Sequence, residues 1–136
     1  MENKEAYAQT RRSLRRVWRL TWTLSAIPKQ SLYIERDDIS DAEYVTEWLH
    51  IVLCRICGQP DISMPPFDEG ASLVRQFRWC IRKAKRQAGA IQRGLLLGRI
   101  NKSLFAERAW DGLDSAEIFL QSFLSGNIRL KRRRYK

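Results

Sequence analysis

The sequence predicts an all-α domain of four or five helices over residues 1–128, followed by a basic tail over 129–136. Three observations carry this reading. Apolar residues recur at three- and four-residue spacing through most of the chain, the period of an amphipathic helix. Start and stop signals cut that pattern into segments of helical length. The one strand-like run, Leu32-Tyr33-Ile34 within residues 30–36, meets no second run to pair with, and a lone strand is not stable.

The first helix spans about Glu5 to Ser25 and stops before Pro28, whose ring and missing N–H end a helix. Leu14, Val17, Thr21 and Leu24 share one side of it. Arg11, Arg12, Arg15, Arg16 and Arg19 fall within about 140° of one another on the opposite side, with Trp18 and Trp22 at the border. In the second helix Ser40-Asp41-Ala42-Glu43 reads as a capping box. Its broad apolar face, Tyr44, Val45, Trp48, Leu49, Val52 and Ile56, ends near Gly58. Pro60, Pro65, Pro66 and Gly70 then mark residues 59–70 as a connector or surface loop.

A third helix runs from about Ser72 to Ala88. Leu73, Val74, Phe77, Cys80, Ile81 and Ala84 point one way, while Arg75, Arg78, Arg82, Lys85 and Arg86 point the other with Trp79 beside them. After Gly89 a fourth helix is expected to about Trp110, although Gly94 and Gly98 each cost it about 1 kcal/mol relative to Ala. Their spacing would let a neighbouring helix approach closely. Asp114 or Ser115 caps a fifth, short helix through Phe119, Leu120, Phe123 and Leu124, stopped by Gly126. From Arg129 onward the chain is too charged to pack.

The formal net charge is +10, and it comes in blocks. Residues 1–36 hold eight basic and three acidic side chains, whereas residues 37–69 hold one basic and eight acidic. Residues 70–106 carry nine basic and no acidic side chains, residues 107–128 one and four, and residues 129–136 six and none. Such segregation lets an acidic segment pack beside a basic one, or keeps the basic surfaces off unintended polyanions. A surplus of this size favours anionic partners.

Other classes lose support. No apolar run reaches the length of a signal peptide or a bilayer span, so the expectation is an intracellular chain, cytoplasmic or nuclear, and not a membrane protein. With one histidine, no phosphate-binding glycine loop and no nucleophile elbow, the expectation is a protein that is not an enzyme. Asp37, Asp38, Asp41, Glu43 and Glu47 gather at a helix start, where they complement the helix dipole better than they would build a nuclease metal site. His50, Cys54 and Cys57 fall within about 60° on the second helix, and Cys80 on the third would complete a Cys3His structural zinc site. Against that assignment, the pattern lacks a second close-spaced pair, and Cys80 lies on a predicted core face; the simpler expectation is no cofactor and three reduced thiols.

The strongest signal is a pair of arginine faces with tryptophans at their edges. Guanidinium groups fork onto phosphates, and exposed indoles are stacking platforms for bases. The sequence therefore predicts a non-enzymatic regulatory protein that binds nucleic acid, RNA in preference to DNA because no module that reads the major groove is present. The predicted contacts are Arg11, Arg12, Arg15, Arg16, Arg19 and Trp22 on the first helix. Arg75, Arg78, Trp79, Arg82, Lys85 and Arg86 follow on the third, with Arg129, Lys131, Arg132, Arg133 and Arg134 in the tail. The alternative is a helical adaptor or accessory protein that binds a protein partner through Trp and Arg hot spots. The sequence carries no signal for an oligomeric state.

Overall fold

In the computed structural model, which describes residues 2–58, 62–127 and 129–130, the helical expectation is met by five α-helices among the described residues. They are α1 (Glu2–Ala26), α2 (Arg36–Cys57), α3 (Leu73–Leu96), α4 (Lys102–Arg108) and α5 (Trp110–Ser122). A 3-10 turn (Lys29–Ser31) and a short strand β1 (Leu32–Tyr33) join α1 to α2, and a π-type turn (Phe123–Asn127) follows α5.

Each helix buries the stripe its sequence spacing dictates. Leu14, Val17 and Leu24 of α1 meet Val45, Leu49 and Val52 of α2, Phe77, Ile81 and Ile91 of α3, and Leu113 and Leu120 of α5 in one core. Helix α1 packs on α3 and α5, and α2 packs on the same two. The four long helices thus form a square in which α1 stands diagonally across from α2.

Several boundaries differ from expectation, each for a physical reason. Helix α2 starts at Arg36, not Ser40: the capping box is Glu35 with Asp38, whose Oδ2 accepts the Glu35 backbone N–H at 2.8 Å. The helix expected to stop at Ala88 runs on through Gly89 to Leu96, so no separate fourth helix begins there. A Cβ at Gly89 would stand 2.9 Å from Trp18 Cζ3, and the missing side chain lets α1 and α3 close on each other. The real break comes at Gly98, whose φ of 73° is open to glycine and strained for other residues. Gly94 is filled by the Ile100 side chain after that turn, and not by another helix. Helix α5 begins at Trp110, a turn earlier than the Asp114 or Ser115 cap predicts.

The strand-like run does have a partner. β1 pairs antiparallel with β2 (Arg129–Leu130), Leu32 opposite Leu130 and Tyr33 opposite Arg129. The tail expected to stay unpacked therefore enters the fold by its first two residues, because backbone pairing asks nothing of side-chain polarity. Lys131, Arg132, Arg133 and Arg134 lie outside the described residues.

Candidate nucleic-acid interface

The outward side of α3 forms the floor of a channel. Counting 100° per residue, Arg75, Arg82, Gly89 and Arg93 run along its centre, with Arg78 and Lys85 on the edge toward α1 and Trp79 and Arg86 on the other. From Arg75 to Arg93 the floor is about 27 Å long at 1.5 Å per residue. One wall is the C-terminal half of α1 and its exit, with Trp18, Trp22 and Lys29. The opposite wall is an extended strap, Ile62 to Asp68.

Short contacts fix both walls to the floor. Arg78 Nη1 donates to the Ile27 carbonyl at 2.7 Å, which pins the end of α1. Trp79 Nε1 donates to the Pro65 carbonyl at 2.9 Å, Arg86 donates to the Ser63 carbonyl, and the Phe67 ring meets the Trp79 ring edge-on at 5.0 Å. Lys85 Nζ sits 4.0 Å from the Trp22 ring centroid, and Trp22 meets Trp18 edge-on at 5.7 Å. Lys83 stands 5.4 Å over Trp79. These cation–π contacts hold ammonium groups at the channel without neutralising them.

Three adjoining depressions of about 480, 270 and 410 Å³ make up the channel. Lys29, Arg75, Arg78, Arg82, Lys85, Arg86 and Arg93 line them, and Asp68 is the one carboxylate among the lining residues. Asp68 Oδ1 is already engaged, accepting the Gly70 backbone N–H at 2.9 Å. Trp22 is 50% exposed at the positive trough, with the Lys85 ammonium over its ring.

The structure divides the predicted arginine face of α1. Arg15 and Arg19 are exposed on the ridge beside Trp18 and Trp22, and their guanidinium groups make no hydrogen bond or ion pair among the described residues. Arg12 and Arg16 instead line a cleft against α5 with Asp114 and Glu117. There Arg16 Nη1 lies 3.2 Å from Glu117 Oε2, and the buried Ser13 hydroxyl donates to Glu117 Oε1 at 3.0 Å. Arg11 Nη1 donates to the Tyr7 hydroxyl at 3.0 Å. Arg11 and Arg16 thus have partners within the chain and Arg12 lines the cleft beside Arg16, whereas Arg15 and Arg19 stand on the ridge. Arg129 pairs with Tyr33 in the β1–β2 ladder.

Sequence reasoning set Trp18 at the border of the arginine face but outside the predicted contacts, and passed over Lys29, Arg93 and the strap. Arg93 fell beyond the expected end of its helix, although its spacing from Arg75 and Arg82 keeps it in line. Trp18 stands one turn before Trp22, and that was its signal. The strap has no signal beyond its prolines.

The proposed zinc ligands are not brought together. Cys54 Sγ is 3.5 Å from His50 Nε2 on the exposed flank of α2, and Cys57 is exposed one turn further on. Burial, and then neighbouring Cys54, pushes the Cys57 thiol up from its ordinary range. Cys80 is buried in the core, and the α2 charge that acts on it is that of Glu43, about 16 Å of helix rise before Cys54. Desolvation in the core, with Glu43 adding to it, pushes the Cys80 thiol up to about 12. Among the described residues no three His, Cys, Asp or Glu side chains converge as metal ligands.

Carboxylates outnumber cations on α2 and α5. Asp37, Asp38, Asp41, Glu43 and Glu47 belong to α2, and Glu107, Asp111, Asp114 and Glu117 to α4 and α5. Burial and the charges of Asp38 and Asp37 hold the Asp41 carboxyl above its ordinary value. Among the described residues no helix is long and apolar enough to cross a membrane. Comparisons of the chain with protein families, with curated proteins and with solved structures return no match.

Proposed function

We propose that this chain is a non-enzymatic nucleic-acid-binding protein of regulatory type whose contact surface is the α1–α3 channel. One observation carries the reading: seven cationic side chains line a continuous trough that contains exposed and half-buried indoles and a single, already engaged carboxylate. Guanidinium and ammonium groups neutralise phosphates, and indole faces accept bases, so both halves of a nucleotide find a partner in one place. RNA is favoured over DNA because among the described residues no helix is presented as a major-groove reading element.

The test is binding of a mixed-sequence oligoribonucleotide and its DNA counterpart at low salt. The pair Arg75→Glu and Arg82→Glu abolishes binding in this reading, whereas Arg12→Glu, on the α5 flank, leaves it. Absence of binding by the unaltered chain at low salt removes the proposal.

A second reading, a protein-binding adaptor, draws on the far side of the square. Tyr44, Trp48 and Phe119 form an edge-on aromatic cluster between α2 and α5, with Ile51 and Ile118 exposed near it. A partner using that face would survive charge reversal in the channel and be lost on Tyr44→Ala with Ile118→Ser.

A further inference from the structure

Resting on the nucleic-acid reading of this same channel, we infer that it takes a single strand, largely irrespective of sequence, and does not take a duplex. The observation is the shape of the trough together with where its indoles lie. Both walls are pinned to side chains of one helix, the end of α1 to Arg78 and the strap to Trp79 and Arg86, so the furrow is no wider than α3 itself, about 10–12 Å. The strap closes the other side, held by the carbonyl contacts to Trp79 and Arg86 and by the Phe67 ring on Trp79. The central cations, Arg75, Arg82 and Arg93, are thereby placed between two walls.

A duplex presents paired, stacked bases and a wide surface, and it would rest on the rims near Arg15 and Arg19. Its bases, paired and stacked on one another, offer Trp22 no open face. A single strand lays its phosphates along the floor and turns unstacked bases onto the indoles, which is how sequence-tolerant single-strand sites obtain affinity. Polar groups that read base edges are also spent elsewhere. The Gln76 side-chain amide donates to the Glu69 and Ala71 carbonyls, and the Ser25 hydroxyl donates to the Trp22 carbonyl. What remains in the trough is chiefly positive charge and aromatic surface, with Asp68 and Ser63 the other polar side chains, a lining suited to phosphates and base faces more than to one base sequence.

The experiment compares an oligouridylate, an oligodeoxythymidylate and the latter annealed to its complement, each competing with a labelled oligouridylate for the full chain at moderate salt. Both single strands should compete at least about tenfold better than the duplex, a difference of about 1.4 kcal/mol. Trp22→Ala should weaken single-strand binding by about 5-fold to 150-fold. Trp22→Phe should restore most of it, and neither change should alter duplex binding, which bypasses the indole. Equal competition by duplex, or equal loss of both ligands in Trp22→Ala, overturns the single-strand inference while leaving nucleic-acid binding in place. If none of the three binds even at low salt, the functional reading itself fails.

Discussion

Replacing Arg75 and Arg82 by glutamine removes two cations from the channel floor and leaves a shorter, neutral polar side chain at each exposed position. Neither guanidinium makes a hydrogen bond or ion pair among the described residues, so the fold should be unaffected. Seven cations line the trough. If each meets a phosphate, the single-strand rule of about 0.7 per phosphate gives a slope of log affinity against log salt near −5. On that slope a fourfold rise in salt weakens binding about a thousandfold. With two cations gone the slope falls to about −3.5, and the same rise costs little more than about a hundredfold. Fluorescence anisotropy of a labelled oligouridylate across a sodium chloride series measures both slopes. The internal control is Arg12→Gln with Arg16→Gln, cations of the same helix pair that face Asp114 and Glu117. That variant should keep the parental slope. An unchanged slope in the channel variant, or an equal drop in the control, would refute the assignment of phosphate contacts to the channel.

Other consequences follow from the core and the α5 cleft. A Cβ at Gly112 would stand under 3.0 Å from Cγ2 of the fully buried Val52, so Gly112→Ala should lose about 1–2 kcal/mol in denaturant unfolding, overpacking outweighing the helix gain. Added to Val52→Ala it should cost less than the two separate losses together; additive losses would remove the steric explanation. Glu117→Gln, which loses the charge that Ser13 and Arg16 meet, should destabilise by about 1–3 kcal/mol without changing the salt slope, and a changed slope would place Arg16 in the binding surface after all. The Cys80 thiol, raised to about 12 from an ordinary 9.0, keeps its proton in the folded state after the unfolded chain has lost it. Stability should therefore fall as pH rises from about 9 toward 12, by at most about 1.4 kcal/mol per unit, and that component should vanish in Cys80→Ala. In the native protein a maleimide should label the exposed Cys54 and Cys57 and spare Cys80 until denaturant is added; native labelling of all three would contradict its burial.

The two cation-bearing helices were legible because core and charge alternate along them at a clean helical period: Val17 against Arg15 and Arg19, Ile81 against Arg78 and Arg82. Their adjacency was not. It is a tertiary fact, set by core contacts between α1 and α3 and by the fit of Trp18 against Gly89. Periodicity likewise cannot divide Arg15 and Arg19 from Arg12 and Arg16, which lie within a turn of each other. Which of them meets a carboxylate depends on α5, far along the chain. Local propensity misplaced the helix break at Gly89, where close packing on Trp18 outweighs the cost of glycine. The strand pair escaped notice because Arg129–Leu130 has no strand-like sequence of its own, and its pairing with β1 joins segments from near opposite ends of the chain.

The diagonal placement of α1 and α2 also has a kinetic consequence. With cations gathered along the α1–α3 edge and carboxylates in excess on α2 and α5, the described residues spread their charge unevenly across the width of the helical body. In the field of a polyanion such a body turns before it touches, positive edge foremost, and collisions made acidic side first are repelled. Productive encounters become a larger fraction of all encounters, so association should be fast in dilute buffer and slow toward a neutral-body rate once ions screen the field over about 10 Å.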